Sequence, residues 1–162
     1  MKRLAQEFKE LMSSETDGIA AGPVTSDSLL EWEALIVGPT DTPYDGGCFG
    51  CVLSFPQDYP LSPPTMRFTT PLWHPNVYPD GRVCISILHP PGEDQFGYEQ
   101  ANERWSPVQS IEKILYSVLS MLASPNDESP ANVDAAKQWR DDSEGFRRKV
   151  LSCVRSSHGL PP

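Results

Sequence analysis

The chain has 162 residues, 38% of them hydrophobic, and a formal net charge of −9, with 13 Lys and Arg against 22 Asp and Glu. That length supports one domain with a real core and leaves no room for a second of ordinary size. No apolar run approaches the ~18 residues of a membrane-crossing helix, and an acidic chain without a basic stripe lacks the charge that binds phosphate, so neither a direct membrane anchor nor a nucleic-acid partner is expected.

Leu4, Phe8, Leu11 and Met12 recur on one helical face, and Ser13-Ser14 with Asp17-Gly18 close that first helix. The start of the chain reads as this amphipathic helix and not as a signal peptide. A short strand is predicted over 19–24. A second over 29–37 alternates Leu30, Trp32, Ala34 and Ile36 with Glu31 and Glu33, the mark of a half-buried antiparallel strand. Gly38-Pro39 stops it, and 42–47 form a turn. Over 48–55 Phe49, Cys51, Leu53 and Phe55 share a face, and over 65–69 Met66 and Phe68 do. The proline-dense stretch 56–64 between them is extended. The strands make a meander of about four.

Residues 70–106 hold no long regular element. Loops of that length inside a compact domain are usually functional. Past Ser110, a plausible N-cap, Ile111, Ile114, Leu115, Val118, Leu119 and Leu122 form a broad apolar stripe that ends at Pro125-Asn126. Two further helices are predicted over 133–140 and 143–155, the last with Phe146, Val150, Cys153 and Val154 on one face, followed by a flexible tail over 158–162. Trp32 and Trp139 are expected in the core, and Tyr59 and Trp105 in packing. One helix before the sheet and three after it make the fold class α+β.

Four cysteines occur, Cys48, Cys51, Cys84 and Cys153. Cys48 and Cys51 have C-x-x-C spacing, but side chains three apart on a strand point to opposite faces, so neither a metal site nor a redox pair is expected. Free thiols in so core-rich a chain imply a reducing, cytoplasmic setting. Cys84 differs, because Asn76 stands eight residues ahead of it across a Pro79-Asp80-Gly81 turn. A thiol holds an acyl group as a thioester, and an amide beside it can donate to an oxyanion or hold the loop. His74, stiffened by Pro75, could make a Cys–His pair with the thiol, but no second polar group is placed to orient it as a protease would require.

This order of elements, with these residues, resembles the ubiquitin-conjugating enzyme family over about residues 2–155. The motifs that carry the resemblance are Tyr59-Pro60 followed by Pro63-Pro64, His74-Pro75-Asn76, Cys84 in register with Asn76, and Trp105-Ser106-Pro107. The resemblance implies that Cys84 takes ubiquitin from a ubiquitin-activating enzyme as a thioester. With a RING-type ligase, it then passes ubiquitin to a lysine of a substrate protein or of another ubiquitin. No cofactor is expected on the chain itself, since ATP is consumed by the activating enzyme. Asn76 becomes oxyanion donor or loop support, and His74 becomes structural. Ser129 becomes the gate beside the incoming lysine, with Asp127 and Glu128 as neighbours that orient the amine or only solvate the loop. Lys2, Arg3, Leu61, Pro107 and Val108 fall where relatives meet the ligase.

The chain departs from the common pattern in two places. Many relatives carry an acidic residue two positions after the cysteine, where this chain has Ser86. The 21 positions from Cys84 to Trp105 include an insertion of about residues 89–102 with Glu93, Asp94 and Glu99. His89, Glu93 and Asp94 are then the expected groups for acceptor positioning. Such an acidic insertion resembles the group that builds degradation-signal chains, and above all its member serving endoplasmic-reticulum-associated degradation. Recruitment to that membrane would be through a partner. The alternatives are a conjugating enzyme for another ubiquitin-like modifier and a non-catalytic variant of the fold.

Overall fold

A computed structural model describes residues 2–91 and 103–162. Helix α1 (Lys2–Ser13) leads into strands β1 (Ile19–Thr25), β2 (Ser28–Val37), β3 (Cys48–Ser54) and β4 (Thr65–Phe68). A single 3₁₀ turn (Ser86–Leu88) follows, then α2 (Ile111–Ala123), α3 (Val133–Asp141) and α4 (Ser143–Ser157). The sheet is antiparallel throughout in the order β1-β2-β3-β4, and this is the α+β order expected.

Register puts the apolar residues of alternate positions on one face. Trp32 lies opposite Leu53 and Ile36 opposite Phe49, and all four are buried while Glu31 and Glu33 face out. They share one core with Ile111, Ile114, Leu115, Val118 and Leu122 of α2. Side chains cap the helices after the sheet: Ser110 accepts from Lys113 N, Asn132 from Ala135 N and Asp142 from Gly145 N. Cys51 points into the core, where burial pushes its thiol up to about 12, whereas Cys48 lies partly exposed on the other face. All four cysteines are free.

Four positions depart from the periodicity argument. Met12 is 71% exposed, and the buried residues of α1 are Leu4, Glu7 and Leu11. The inward stripe of the helix is narrow and turned toward Glu7, a carboxylate that finds partners inside. Trp139 is 38% exposed, because α3 meets the rest of the domain through the small side chains of Ala135 and Ala136 and leaves the indole on the rim. In α2 Met121 is buried and Leu119 only partly so. Beyond α4 the chain folds back: Leu160 N donates to Arg155 O, Arg155 Nε donates to Pro161 O, and His158 Nε2 bonds to Gly46 O.

Of the four tryptophans, Trp32 and Trp139 should therefore separate in denaturant titrations. Trp32→Ala is expected to lose about 3–5 kcal/mol, and Trp139→Ala less than about 1 kcal/mol.

Candidate active site

The stretch 74–76 is held by three kinds of bond, one from each residue. His74 is fully buried. Its Nδ1 accepts from Asn76 N at 2.9 Å, so the ring proton sits on Nε2, which donates to Met121 O at 2.7 Å. Burial lowers its pKa to about 4, partly opposed by the bond to Met121. Neutral, with both nitrogens occupied, this ring has no free site for general-base work, and the protease reading fails with it.

Pro75 O accepts from Ala131 N and Asn132 N. The Asn76 side chain pairs with one backbone unit, donating from Nδ2 to Asn126 O at 2.7 Å and accepting from Asn126 N at Oδ1 at 2.9 Å. The motif thus grips the end of α2 and the loop after it, which carries Asp127, Glu128 and Ser129. Tyr44 OH, donating to Trp73 O, secures the residue before the grip.

The eight-residue spacing from Asn76 to Cys84 is a tight hairpin. Cys84 N donates to Asn76 O at 2.9 Å, Val77 bridges to Val83, and Gly81 N returns to Tyr78 O. Gly81 has φ +98°, and a Cβ there would lie 2.3 Å from Phe68 O, so the turn can press against β4 only with glycine. Phe68 N donates to Gly81 O, which locks it there.

Past the thiol the chain makes the 3₁₀ turn and reaches His89, whose Nε2 lies 3.7 Å from Cys84 Sγ. Cys84 opens on a groove of about 500 Å³. Asn76, Ser86, His89, Glu103 and Arg104 line it ahead of α2, Ser117, Ser120 and Ser124 along α2, and Glu128 and Ser129 in the loop after it. Five of the residues expected at the site therefore come together: Cys84, Asn76, His89, Glu128 and Ser129. Asp127 is not among the groove's residues. Its carboxylate lies 3.9 Å from Arg140 Nη1 on α3. Glu93 and Asp94 lie outside the described residues.

Away from the groove, Leu61 is 66% and Val108 88% exposed, with Lys2 and Pro107 also at the surface. Leu61 does not fold back on the core. The Arg3 side chain, 34% exposed, donates from Nε to Glu7 Oε2 at 3.1 Å and from Nη2 to Gln109 O at 2.7 Å. Tyr59 and Trp105 pack as expected, rings 5.6 Å apart. Sequence reasoning missed Glu7. Its signal is position alone, a carboxylate between Leu4 and Leu11 on the buried stripe.

The family model "Ubiquitin-conjugating enzyme" matches residues 3–154. The chain belongs to the ubiquitin-conjugating enzyme family. Human "Ubiquitin-conjugating enzyme E2 G2" is 61% identical over 160 residues, covering 99% of this chain and 97% of that protein. "Ubiquitin-conjugating enzyme E2 13" of Arabidopsis thaliana is 58% identical over 157 residues, 97% and 95% of the two chains. "Ubiquitin-conjugating enzyme E2 15" of Schizosaccharomyces pombe is 58% identical over 154 residues, 95% and 92%. For this ubiquitin-conjugating enzyme the matched span runs from α1 into α4 and takes in every residue of the groove.

Burial of neutral His74 makes stability depend on pH in a defined window. The folded pKa of about 4 lies below the ordinary 6.5, so the unfolded chain binds the proton first as pH falls. The contribution is complete above pH 6.5 and is lost on the way down to pH 4. Urea titrations at pH 7 and pH 5 should differ by about 2 kcal/mol from this group. His74→Gln, less stable overall, should show that much less dependence on pH.

Proposed function

We propose that the chain takes the C-terminal acyl group of ubiquitin onto Cys84 Sγ and passes it to lysine. In the first step the Cys84 thiolate attacks the thioester of the activating enzyme, a new C–S bond forms, and the activating enzyme's thiolate leaves. In the second a lysine amine attacks the Cys84 thioester, a C–N bond forms, the C–S bond breaks, and the amine gives up a proton. ATP is spent upstream, and the reading needs no bound cofactor. The observation that carries it is the Cys84 thiol at the groove, tied through its own N–H to the residue that holds the opposite loop.

The pair of hydrogen bonds between the Asn76 side chain and the Asn126 backbone supports the loop-holding role. An amide nitrogen carries two N–H groups, so this role leaves a second donor for the oxyanion of the acyl intermediate. Ser129 acts as the gate, with Glu128 beside it and His89 across the groove, and these groups orient the amine. Asp127 acts through the loop by its contact with Arg140. Glu93 and Asp94 supply the carboxylate that Ser86 lacks. A RING-type ligase docks on Lys2, Arg3, Leu61, Pro107 and Val108.

The relatives named for E2 G2 and the acidic insertion support chains that signal degradation, including degradation at the endoplasmic reticulum. The protein works from the cytoplasm and reaches that membrane through partners. Among the described residues, no helix is long and apolar enough to cross a membrane.

With activating enzyme, ATP and ubiquitin, the protein should form an adduct that reductant removes, and Cys84→Ser one that reductant leaves intact. An adduct with another ubiquitin-like modifier and none with ubiquitin would overturn the substrate assignment. Asn76→Ala should slow lysine discharge by roughly 10²-fold while reducing charging far less. Combined Glu93→Ala and Asp94→Ala should slow chain building in a gel assay, and an unchanged rate would remove the insertion from acceptor positioning.

A further inference from the structure

Glu7 is 6% exposed, and burial of a carboxylate is costly unless donors surround it. Here Oε1 accepts from Ile111 N at 2.8 Å, and Oε2 accepts from Tyr59 OH at 2.5 Å and from Arg3 Nε at 3.1 Å. Each donor stands at the base of a different element. Tyr59 lies two residues before Leu61, in a loop turned by the bond from Leu61 N to Asp58 O. Arg3 carries the network on to Gln109 O, the residue after Val108. Ile111 N is the first N–H of α2, where a negative charge also favours the helix dipole. Trp105 Nε1, donating to Pro60 O at 2.8 Å, joins the two loops directly.

We propose that Glu7 is a positioning residue for ligase docking, its carboxylate holding the loops that carry Leu61 and Val108 in one fixed spacing and seating both on α2. The proposal rests on the reading that a RING domain docks on this rim. Leu61 and Val108, apolar and 66% and 88% exposed, are tips with little of their own chain over them. Short loops of this kind would lose conformational freedom on binding. A shared anchor beneath them removes that loss before the partner arrives. An apolar side chain at position 7 would serve the core without the desolvation cost, so the network's return lies in the geometry it imposes. Tyr59 remains a neutral donor throughout the physiological range, since burial and the bond to Glu7 both raise its pKa. Helix α2 runs from Glu7's bond at Ile111 to Met121, which holds His74, and its serines line the Cys84 groove. The docking rim and the reacting centre thus stand on one rigid element.

Tyr59→Phe removes one donor and leaves the carboxylate bonded to Ile111 N and Arg3. Glu7→Gln keeps an oxygen for Ile111 N but turns its amide nitrogen toward both Tyr59 OH and Arg3 Nε, which lose their shared acceptor. The test charges each variant with ubiquitin and titrates lysine discharge with a RING domain that accelerates the unaltered protein. In both variants the half-saturating RING concentration should rise about tenfold, roughly 1.4 kcal/mol. Discharge without RING, and the rate at saturation, should stay within about twofold. Thermal melting run alongside separates a general loss of fold, which would lower the melting temperature and both discharge rates together. An unchanged half-saturation in Tyr59→Phe, with its melting temperature lowered or not, would sink the role of Glu7. Leu61→Ser tests the rim itself. If it leaves RING stimulation intact, the docking reading fails. If it abolishes stimulation while the Tyr59 and Glu7 variants behave normally, only the Glu7 proposal fails.

Discussion

The arrangement of the site depends on three successive residues bonding to one stretch of chain about fifty residues away. His74, Pro75 and Asn76 hold Met121, the backbone of Ala131 and Asn132, and Asn126. A loop cannot satisfy its own backbone as a helix or strand does, so buried loop segments need such partners. His74 supplies a ring that stays neutral because it is buried, and Asn76 supplies a matched donor and acceptor. The proline at 75 has no N–H to satisfy and leaves its carbonyl free to take two bonds. Everything around Cys84 inherits its position from this grip, since Cys84 is itself bonded to Asn76 O.

The chemistry that follows is one of placement. No strong base faces the thiol from the 74–76 segment, and the described groove is lined by the amides of Asn76 and Asn126, the imidazole of His89, the carboxylates of Glu103 and Glu128, the guanidinium of Arg104 and several hydroxyls. Acyl transfer between thiols is nearly balanced, and a lysine amine is a good nucleophile once its proton has gone. What a site of this kind must supply is a fixed carbonyl, a donor for the oxyanion and a constrained approach for the amine. The loop after α2 is clamped at Asn126 and again at Ala131 and Asn132, so that Glu128 and Ser129 stand exposed at its tip while both ends are held.

Strand order, helix limits and caps were legible because each rests on local chemistry. Trp32, Ala34 and Ile36 alternate with charges, and Ser110 stands where a helix must find an acceptor. The turn at Pro79-Asp80-Gly81 was legible too, though its need for glycine comes from Phe68 O, which only the fold brings near. Met12 and Trp139 were misplaced for a shared reason. Periodicity tells which residues share a face, but not how wide a stripe the neighbouring element covers. Helix α3 docks through Ala135 and Ala136, and α1 docks through Leu4, Glu7 and Leu11.

The sequence by itself determined the fold class, the pairing of Cys84 with Asn76 by spacing, and the family resemblance that named their chemistry. The tertiary structure decided what each polar group does with its hydrogen bonds. It bonded Arg3 to Glu7 and to Gln109, took Asp127 toward Arg140 and away from the groove, and closed both nitrogens of His74. It also made Glu7 a junction of α1, α2 and two loops. These assignments join residues 50 or 104 positions apart, as Asn76 to Asn126 and Glu7 to Ile111. Hydrogen-bond partners at such separation are chosen by packing, and packing has no period along the chain.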